Sequence, residues 1–490
     1  MSETLSGAEP RMLIDGKLVE AVSGKTFTNF NPATEEAIGE VSDASPDDAR
    51  TAIAAARRAF DTTDWSTDHK FRRHCLEQLH GALVDAKEEF RLALIAETGS
   101  PTLLTYLVQI DQPIDWFTFW PELADSYDYE GPIPDIDFMG MPHKGMIIKE
   151  PVGVVGAITP FNFPLYLNLA KLGPALAAGC TIVLKPSPET PWSANLIGRL
   201  IAEQTDIPPG VVNIVTSSDP AVGEVLTTDP DVDMVSFTGS TAVGKKIMAA
   251  CAETVKKCHL ELGGKSANIL LDDADFSVAA GSVPAFVCAH SGQGCALYTR
   301  LLLPRSRYDE GLELVKAGFE SMTYGDPMDA SNLQGPQISA RQRERVLEYI
   351  ETAKKEGAKV LVGGGTPDHL EKGYYVQPTI LTDVDPDSTV AQEEIFGPVL
   401  VVIPFDDDDD AVQIANNSRY GLSGAVWSAS EERALSVARR IRSGTIGVNG
   451  GQWLHASRPF GGYRESGLGR ENGVEGFEQY LETKVVALAG

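Results

Sequence analysis

Between Val152 and Leu271, short runs of apolar, largely β-branched residues alternate with segments whose apolar positions recur at helical spacing. The runs "VGVVGAI", "TIVLKP", "VVNIV" and "VDMVSF" read as buried strands, and the intervening "LNLAKLGPALAAG", "WSANLIGRLIAEQ", "AVGEVLTT" and "AVGKKIMAACAE" as helices. Strands alternating with helices at intervals of roughly 25 residues describe βαβ units on a parallel sheet, the architecture of dinucleotide-type folds. Upstream, "PDDARTAIAAARRAF" and "RRHCLEQLHGALVDAKEEFRLALIAETG" predict two helices lying beside that sheet. A second set of alternations begins near Asn268 with "NILLDDA". It continues through "TRLLLP", "YDEGLELVKAGFESM", "ARQRERVLEYIETAKKEGAKVLVGG" and "PVLVVIPF" to "GTIGVN". Two α/β domains in series follow, with a boundary near residues 261–267. Segment 125–150 breaks the pattern, being rich in aromatic, Pro and Gly residues and ending in the strand-like "GMIIKE". The C-terminal "FEQYLETKVVALAG" reads as an apolar strand without an evident partner in its own domain. A bare edge of that kind invites uncontrolled pairing, so residues 478–490 are expected to pair across subunits of a closed homo-oligomer.

Length and charge narrow the classes. A chain of 490 residues can bury more than one core. Its formal net charge of -28 argues against nucleic acid or an anionic membrane as partner, because both attract Lys and Arg. The stretch "PVGVVGAITPFNFPLYLNLA" (151–170) is uncharged and long enough to span a bilayer, but three prolines and two asparagines interrupt it. It is read as a strand, a loop and a helix start. The acidic run Asp406 to Asp410 lacks the glycine-punctuated frame of a calcium loop and is read as a solvated loop or helix start. Six cysteines without a Cys-x-x-Cys pair suit reduced thiols in a cytoplasmic setting, and no metal site is expected from them. The first residues lack the basic segment and apolar core of a secretory signal.

Four stretches carry candidate chemistry. In "AHSGQGCALYTR", Cys295 follows a Gly-Gln-Gly run, and its sulfur reads either as a nucleophile or as a packed thiol. In "HLELGGKS", Glu261 lies on a strand ending in two glycines, where a carboxylate is either a surface residue or a partly desolvated base. Asn162 in "ITPFNFP" can donate to an oxyanion if its loop is rigid, or can simply close a turn. In "SFTGSTAVGKK", a strand leads through Gly239 to Ser240 and Thr241 as helix caps. The helix start reads either as a site offering N–H groups to a phosphate or as a capped helix without a ligand, and the segment resembles only part of a Walker A loop. Together these are the parts of thiol-based acyl chemistry coupled to a dinucleotide.

These stretches, in order along most of the chain, resemble the aldehyde dehydrogenase superfamily: "PVGVVGAITPFNFPL", "LKPS", "PGVVNIV", "SFTGST", "LELGGKS", "GQGCALYTR", "EEIFGPV" and "PFGGYRESGLGRE". The resemblance implies an α/β fold with a Rossmann-like NAD(P)-binding domain (1–124 and 151–261), a second α/β catalytic domain (262–471) and an oligomerisation segment (125–150 and 472–490). It implies Cys295 as nucleophile, Glu261 as general base, Asn162 with the Cys295 backbone N–H as oxyanion hole, and Glu471 in proton relay. For the cofactor it implies Thr159, Pro160, Phe161, Lys185, Ser187, Phe237, Gly239, Ser240, Val243, Leu262, Gly263, Glu394 and Phe396. The aldehyde pocket is expected from Phe163, Tyr166, Leu167, Ala170, Leu454 and Phe460, a mostly apolar set that suits a medium aliphatic or aromatic aldehyde. The implied reaction is NAD(P)-dependent oxidation of a small-molecule aldehyde through a thioester on Cys295, in a homodimer or homotetramer. Relatives that release the acyl group to coenzyme A typically lack the glutamate base, which is present here. A silent binding or structural relative would not need the intact trio Cys295, Glu261 and Asn162.

Three departures stand out. "KPSPET" has Pro188 where NAD-preferring relatives often carry a glutamate, with Glu189 one place on, so NADP stays open beside NAD. "IVTSSDP" replaces a glycine-containing turn with Thr216, Ser217 and Ser218. Arg464 stands where lysine is usual, an exchange expected to be harmless.

Overall fold

The computed structural model describes residues 8–489. Two sheets organise the chain. The first has eight strands, with Val154–Ile158 at its centre. Beside it on one side run Thr181–Lys185 and Val212–Ile214, and on the other Met234–Thr238 and Lys257–Glu261, all parallel. Antiparallel strands close both edges: Met12–Ile14 with Lys17–Val19 at one, Gly467–Leu468 at the other. The five parallel strands are buried on both faces because helices cover both sides. The second sheet has seven strands, built on Ala267–Leu270, Arg300–Pro304, Val399–Phe405 and Gly424–Trp427 in parallel register. Its own apolar layers lie on either face.

Local sequence explains the main joints. The apolar stretch 151–170 divides into the strand Val154–Ile158, a short loop and the helix Pro164–Ala178, whose first residue is proline as helix starts favour. The acidic run opens the helix Asp408–Asn416. Asp407 caps it by accepting from the Asp410 N–H, and three aspartates sit in its positive first turn. The pattern over residues 72–99 forms two helices rather than one: His69–Asp85 and Lys87–Thr98 break at Ala86, with no proline or glycine in the sequence to mark the break.

Segment 125–150 contains a hairpin, Glu130–Phe138 with Met141–Pro151, turned at Met139 and Gly140. Both turn residues have positive φ, which matches the right-handed twist of the flanking strands. The C-terminal strand Leu481–Ala489 lies antiparallel to Met141–Pro151 in the same chain, from Leu481 opposite Pro151 to Ala489 opposite His143. The tail, for which the sequence shows no evident partner within its own domain and which is expected to pair across subunits, is therefore paired within its own chain. The inner strand of the hairpin presents a free edge of matching length, and nine successive residue pairs satisfy the tail's backbone there. Among the described residues, no helix is long and apolar enough to cross a membrane.

Candidate active site

The strand order of the first sheet reverses at its centre. Successive strands after Val154–Ile158 step one way, and the later pair, Met234–Thr238 and Lys257–Glu261, lies on the other side. At such a switch point the loops leaving the carboxyl ends of adjacent strands diverge and leave a crevice, the usual ligand site of open α/β sheets. The loop after Val154–Ile158 carries Thr159, Pro160, Phe161 and Asn162. The loop after Met234–Thr238 carries Gly239 and Ser240. Ser240 caps the helix Thr241–Ala252 by accepting from the Val243 N–H, so the helix start and its free N–H groups face this crevice.

Fixed contacts hold the first loop. Thr159 Oγ1 donates to Asn168 Oδ1 at 2.7 Å, tying the loop to the helix Pro164–Ala178. Gln109 Nε2 donates to the Asn162 carbonyl at 3.0 Å, and Asn162 Nδ2 donates to the Gln293 carbonyl at 2.8 Å. Gln293 in turn anchors the cysteine loop: its Nε2 donates to the His290 carbonyl and its Oε1 accepts from the Ile338 N–H. His290, Ser291 and Gly292 all take left-handed backbone conformations. Such strain persists only where the surroundings over-determine it, and here it turns the chain sharply just before Cys295.

Cys295 lines a cavity of about 520 Å³ together with Asn162, Thr238, Glu261 and Glu471. Burial pushes its thiol above the ordinary range, and the carboxylates of Glu394, Glu261 and Glu471 push the same way. Glu261 is almost wholly buried, and neither carboxylate oxygen has a hydrogen-bond partner. Desolvation, then Glu471, hold its carboxyl well above the usual carboxylate range, against the pull of Lys171 and Arg470. Glu471 is paired with Lys171 at 2.6 Å, both buried.

The predicted pocket residues divide. Phe163, Tyr166, Leu167, Leu454 and Phe460 line the cavity, and Ala170 is not among its lining residues. It lies a turn beyond Tyr166 along the helix and is buried beside Lys171, which pairs with Glu471. Other walls had no signal in the motifs. Leu103, Leu104, Leu107 and Val108 come from the irregular helical stretch after Pro101, and Phe286 from the helix Phe276–Cys288. Trp453 stacks on Phe460 at 5.4 Å and donates its Nε1–H to Tyr298 Oη at 2.9 Å. Tyr166 packs edge-on to Trp116 and accepts from Asn472 Nδ2. An apolar run such as "TLLTYLVQ" hints at these positions only through its exposed leucines.

The predicted cofactor residues lie around the crevice. Lys185 is buried and donates to the Ser217 carbonyl at 3.2 Å, and burial lowers its pKa. Ser187 bonds the Glu189 carboxylate, while Asp43 holds the Ser218 N–H and hydroxyl in the replaced turn. Glu394 accepts from the Gly264 N–H at 2.9 Å, and burial pushes it up to about 7. Phe396 meets Phe161 edge-on at 5.9 Å. Phe237 and Leu262 are buried beneath, Gly263 lies against Glu394, and Val243 is exposed on the first turn of the helix. Thr238 Oγ1, which lines the cavity, is buried without a partner. A capped helix start for a diphosphate, an unpartnered hydroxyl and an aromatic pair for a flat ring suit a dinucleotide at the switch point. Arg464 donates to the carbonyls of Asn416 and Ser418.

The model of the aldehyde dehydrogenase family matches residues 18–486. A 3-succinoylsemialdehyde-pyridine dehydrogenase from a Pseudomonas species is 43% identical over 476 residues, covering 96% of this chain and 97% of its own. A betaine aldehyde dehydrogenase from Staphylococcus aureus in complex with NAD+ is similar at a TM-score of 0.96 and 36% identity, over 99% of this chain and 96% of that one. The NAD+ complex of an aldehyde dehydrogenase from Bacillus cereus is similar at a TM-score of 0.95 and 38% identity, over 99% and 98%.

Proposed function

This chain belongs to the aldehyde dehydrogenase family, and from that premise we propose that it oxidises an uncharged aliphatic or aromatic aldehyde to the carboxylic acid, with NAD as hydride acceptor and Cys295 as nucleophile. One observation carries the reading: the Cys295 thiol, the Glu261 carboxylate and the Asn162 amide converge on a single apolar cavity beside the sheet's switch point. Residues 1–124 and 151–261 then serve the cofactor, 262–471 the chemistry, and 125–150 with 472–490 the assembly of a homodimer or homotetramer in the cytoplasm.

The residues divide the work as their contacts dictate. Cys295 loses its proton to a neighbouring carboxylate and bonds the carbonyl carbon, leaving charge on the former carbonyl oxygen. One Asn162 Nδ2 hydrogen is engaged with Gln293, so the other is free for that oxyanion, alongside the Cys295 N–H. Each such donor is typically worth about 3 kcal/mol of barrier. NAD, when bound by the loops at Ser240, Lys185 and Glu394, supplies the hydride acceptor. The acyl group is then a thioester on Cys295. Glu261 takes a proton from water as its oxygen attacks, and the thiolate leaves. Lys171 keeps Glu471 paired beneath this step, so the two buried acids need not share one proton.

The cavity walls support an uncharged substrate. Among the described residues no Lys, Arg or His lines it, its two carboxylates would repel a carboxylate-bearing aldehyde, and leucines share its walls with aromatic rings such as Trp116, Phe286, Trp453 and Phe460, a mostly apolar lining that suits an uncharged chain or ring. A panel assayed by reduced-nicotinamide absorbance at saturating NAD and NADP tests this. Aryl and straight-chain aldehydes should exceed an ω-carboxylate aldehyde and betaine aldehyde in kcat/KM by at least about tenfold, the effect of one unpaired charge of modest burial. A higher value for either charged aldehyde overturns the substrate class, and faster turnover on adding coenzyme A overturns hydrolysis.

A further inference from the structure

The strand Lys257–Glu261 carries His259 on the same face as Glu261, two positions earlier. Both side chains are buried, at 1% and 2% exposure. His259 Nε2 stands 3.4 Å from Glu261 Oε1, longer than a formed hydrogen bond. Neither atom has another partner. On the far side of the ring, His259 Nδ1 is 3.1 Å from Ser236 Oγ, and that hydroxyl is 3.1 Å from Tyr480 Oη. Ser236 faces His259 directly in the parallel register. Two glycines press the pair together: a Cβ at Gly461 would come 2.7 Å from Glu261 Oε1, and one at Gly469 2.8 Å from His259 Cδ2.

With Glu261 ionised, this set of groups has one satisfied arrangement. A carboxylate only accepts, so Nε2 must carry the hydrogen. The neutral ring then presents Nδ1 as an acceptor, the Ser236 O–H fills it, and the Tyr480 O–H donates to Ser236. The ring is held neutral, because burial lowers its pKa well below the ordinary value and Lys171 and Arg470 act in the same direction.

We propose that His259 is a positioning residue for the general base: its Nε2–H closes on Oε1 of ionised Glu261, and Ser236 and Tyr480 hold the tautomer that can do so. The inference rests on Glu261 being the base of the proposed reaction. The charged and titratable groups facing Glu261 are Glu471, Lys171, Arg470, Cys295 and Tyr166, and those facing Tyr480 are Glu471 and Cys180. Among the described residues none of these donates a hydrogen bond to Glu261. His259 is thus the donor within reach, and with Oε1 engaged, Oε2 is the oxygen that takes the proton from water. Burial opposes the ionised form that hydrolysis needs, and a single N–H donor favours it.

The test follows decay of the Cys295 acyl-enzyme, formed with a p-nitrophenyl ester so that no cofactor is needed, by quenched-flow mass spectrometry across pH. Glu261→Gln should leave acylation intact and slow decay by roughly 10²-fold, the scale of a lost general base. His259→Leu should move the midpoint of the decay profile upward by about one pH unit, as loss of a hydrogen bond to a charged group predicts. His259→Gln, which returns an amide N–H near the place of Nε2, should restore most of the shift, and Ser236→Ala should move the midpoint upward by less. Wild-type decay in Glu261→Gln overturns the base reading itself. Slow decay in Glu261→Gln with unmoved midpoints in His259→Leu and Ser236→Ala overturns only this inference. If His259→Leu does not fold, His259→Gln with a profile displaced as far as Ser236→Ala decides against it.

Discussion

Cys295 sits where three constraints meet: a left-handed turn before it, the Gln293 anchor beneath, and a cavity of carboxylates around its sulfur. Desolvation and the surrounding carboxylates both push its thiol pKa upward. Cys295→Ala should reduce aldehyde oxidation by more than about 10³-fold, while NAD affinity and melting temperature stay near wild type. Retention of a tenth of kcat would assign the chemistry elsewhere, and a large fall in melting temperature would mark a packing residue. Glu189 offers a second case. Its carboxylate is bonded to Ser187 beside Lys185, on the loop expected to meet the adenosine ribose, so Glu189→Gln should raise kcat/KM for NADP by roughly fivefold with little change for NAD, as expected for an exposed charge. Equal effects on both cofactors would remove it from the discrimination. Sequence motifs made these residue types visible, because each motif is a short run that fixes its own loop. His259 escaped, since its role depends on a neighbour strand and on glycines more than 200 residues away.

At the scale of the elements, the alternating apolar runs were legible because a parallel strand must be apolar on both faces and so announces itself without partners. The helix Trp192–Gln204 shows what stays hidden. Pro191 precedes it and supplies no side-chain cap. Instead Glu97, from the end of a distant helix, accepts from the backbone N–H groups of Trp192 and Ser193 and from Asn29 Nδ2. A cap borrowed across the core leaves no trace in the local sequence. Glu97→Ala strands two backbone donors and an amide in a buried place and should lower unfolding free energy by about 2–4 kcal/mol in a denaturant titration. A loss under about 0.5 kcal/mol would mean that water replaces the carboxylate without cost. The break at Ala86 and the position of Ala170 were equally illegible: both depend on what the helix meets, not on its own periodicity.

On the scale of the whole molecule, the acidic surface and the apolar tail point in opposite directions, and the tail's own-chain pairing resolves only part of that contrast. The three-stranded sheet still has two open edges, Leu481–Ala489 and Glu130–Phe138, and exposes Ile136, Phe138, Met139 and Met141 around its tip. An acidic monomer has little reason to carry such a ridge unless another copy covers it. Light scattering should therefore find a dimer or tetramer for the full chain, and a smaller species for a chain ending at Tyr480. A monomer in the first sample, or an unchanged assembly in the second, overturns the proposal.

The short strand Gly467–Leu468 joins the edge of the first sheet beside Lys257–Glu261, and Ser466 stitches the neighbouring backbone through the Leu262 N–H, the Gly263 carbonyl and the Gly421 N–H. The segment bearing Glu471 is thereby riveted to the strand bearing Glu261. A jaw fastened at this point cannot gape there, whereas the leucine-rich stretch after Pro101, which lines the same cavity, has no such rivet to the strand bearing Glu261. Amide hydrogen exchange should then be slow at Leu262 and Leu468 and fast across residues 102–109, whatever the state of the cleft.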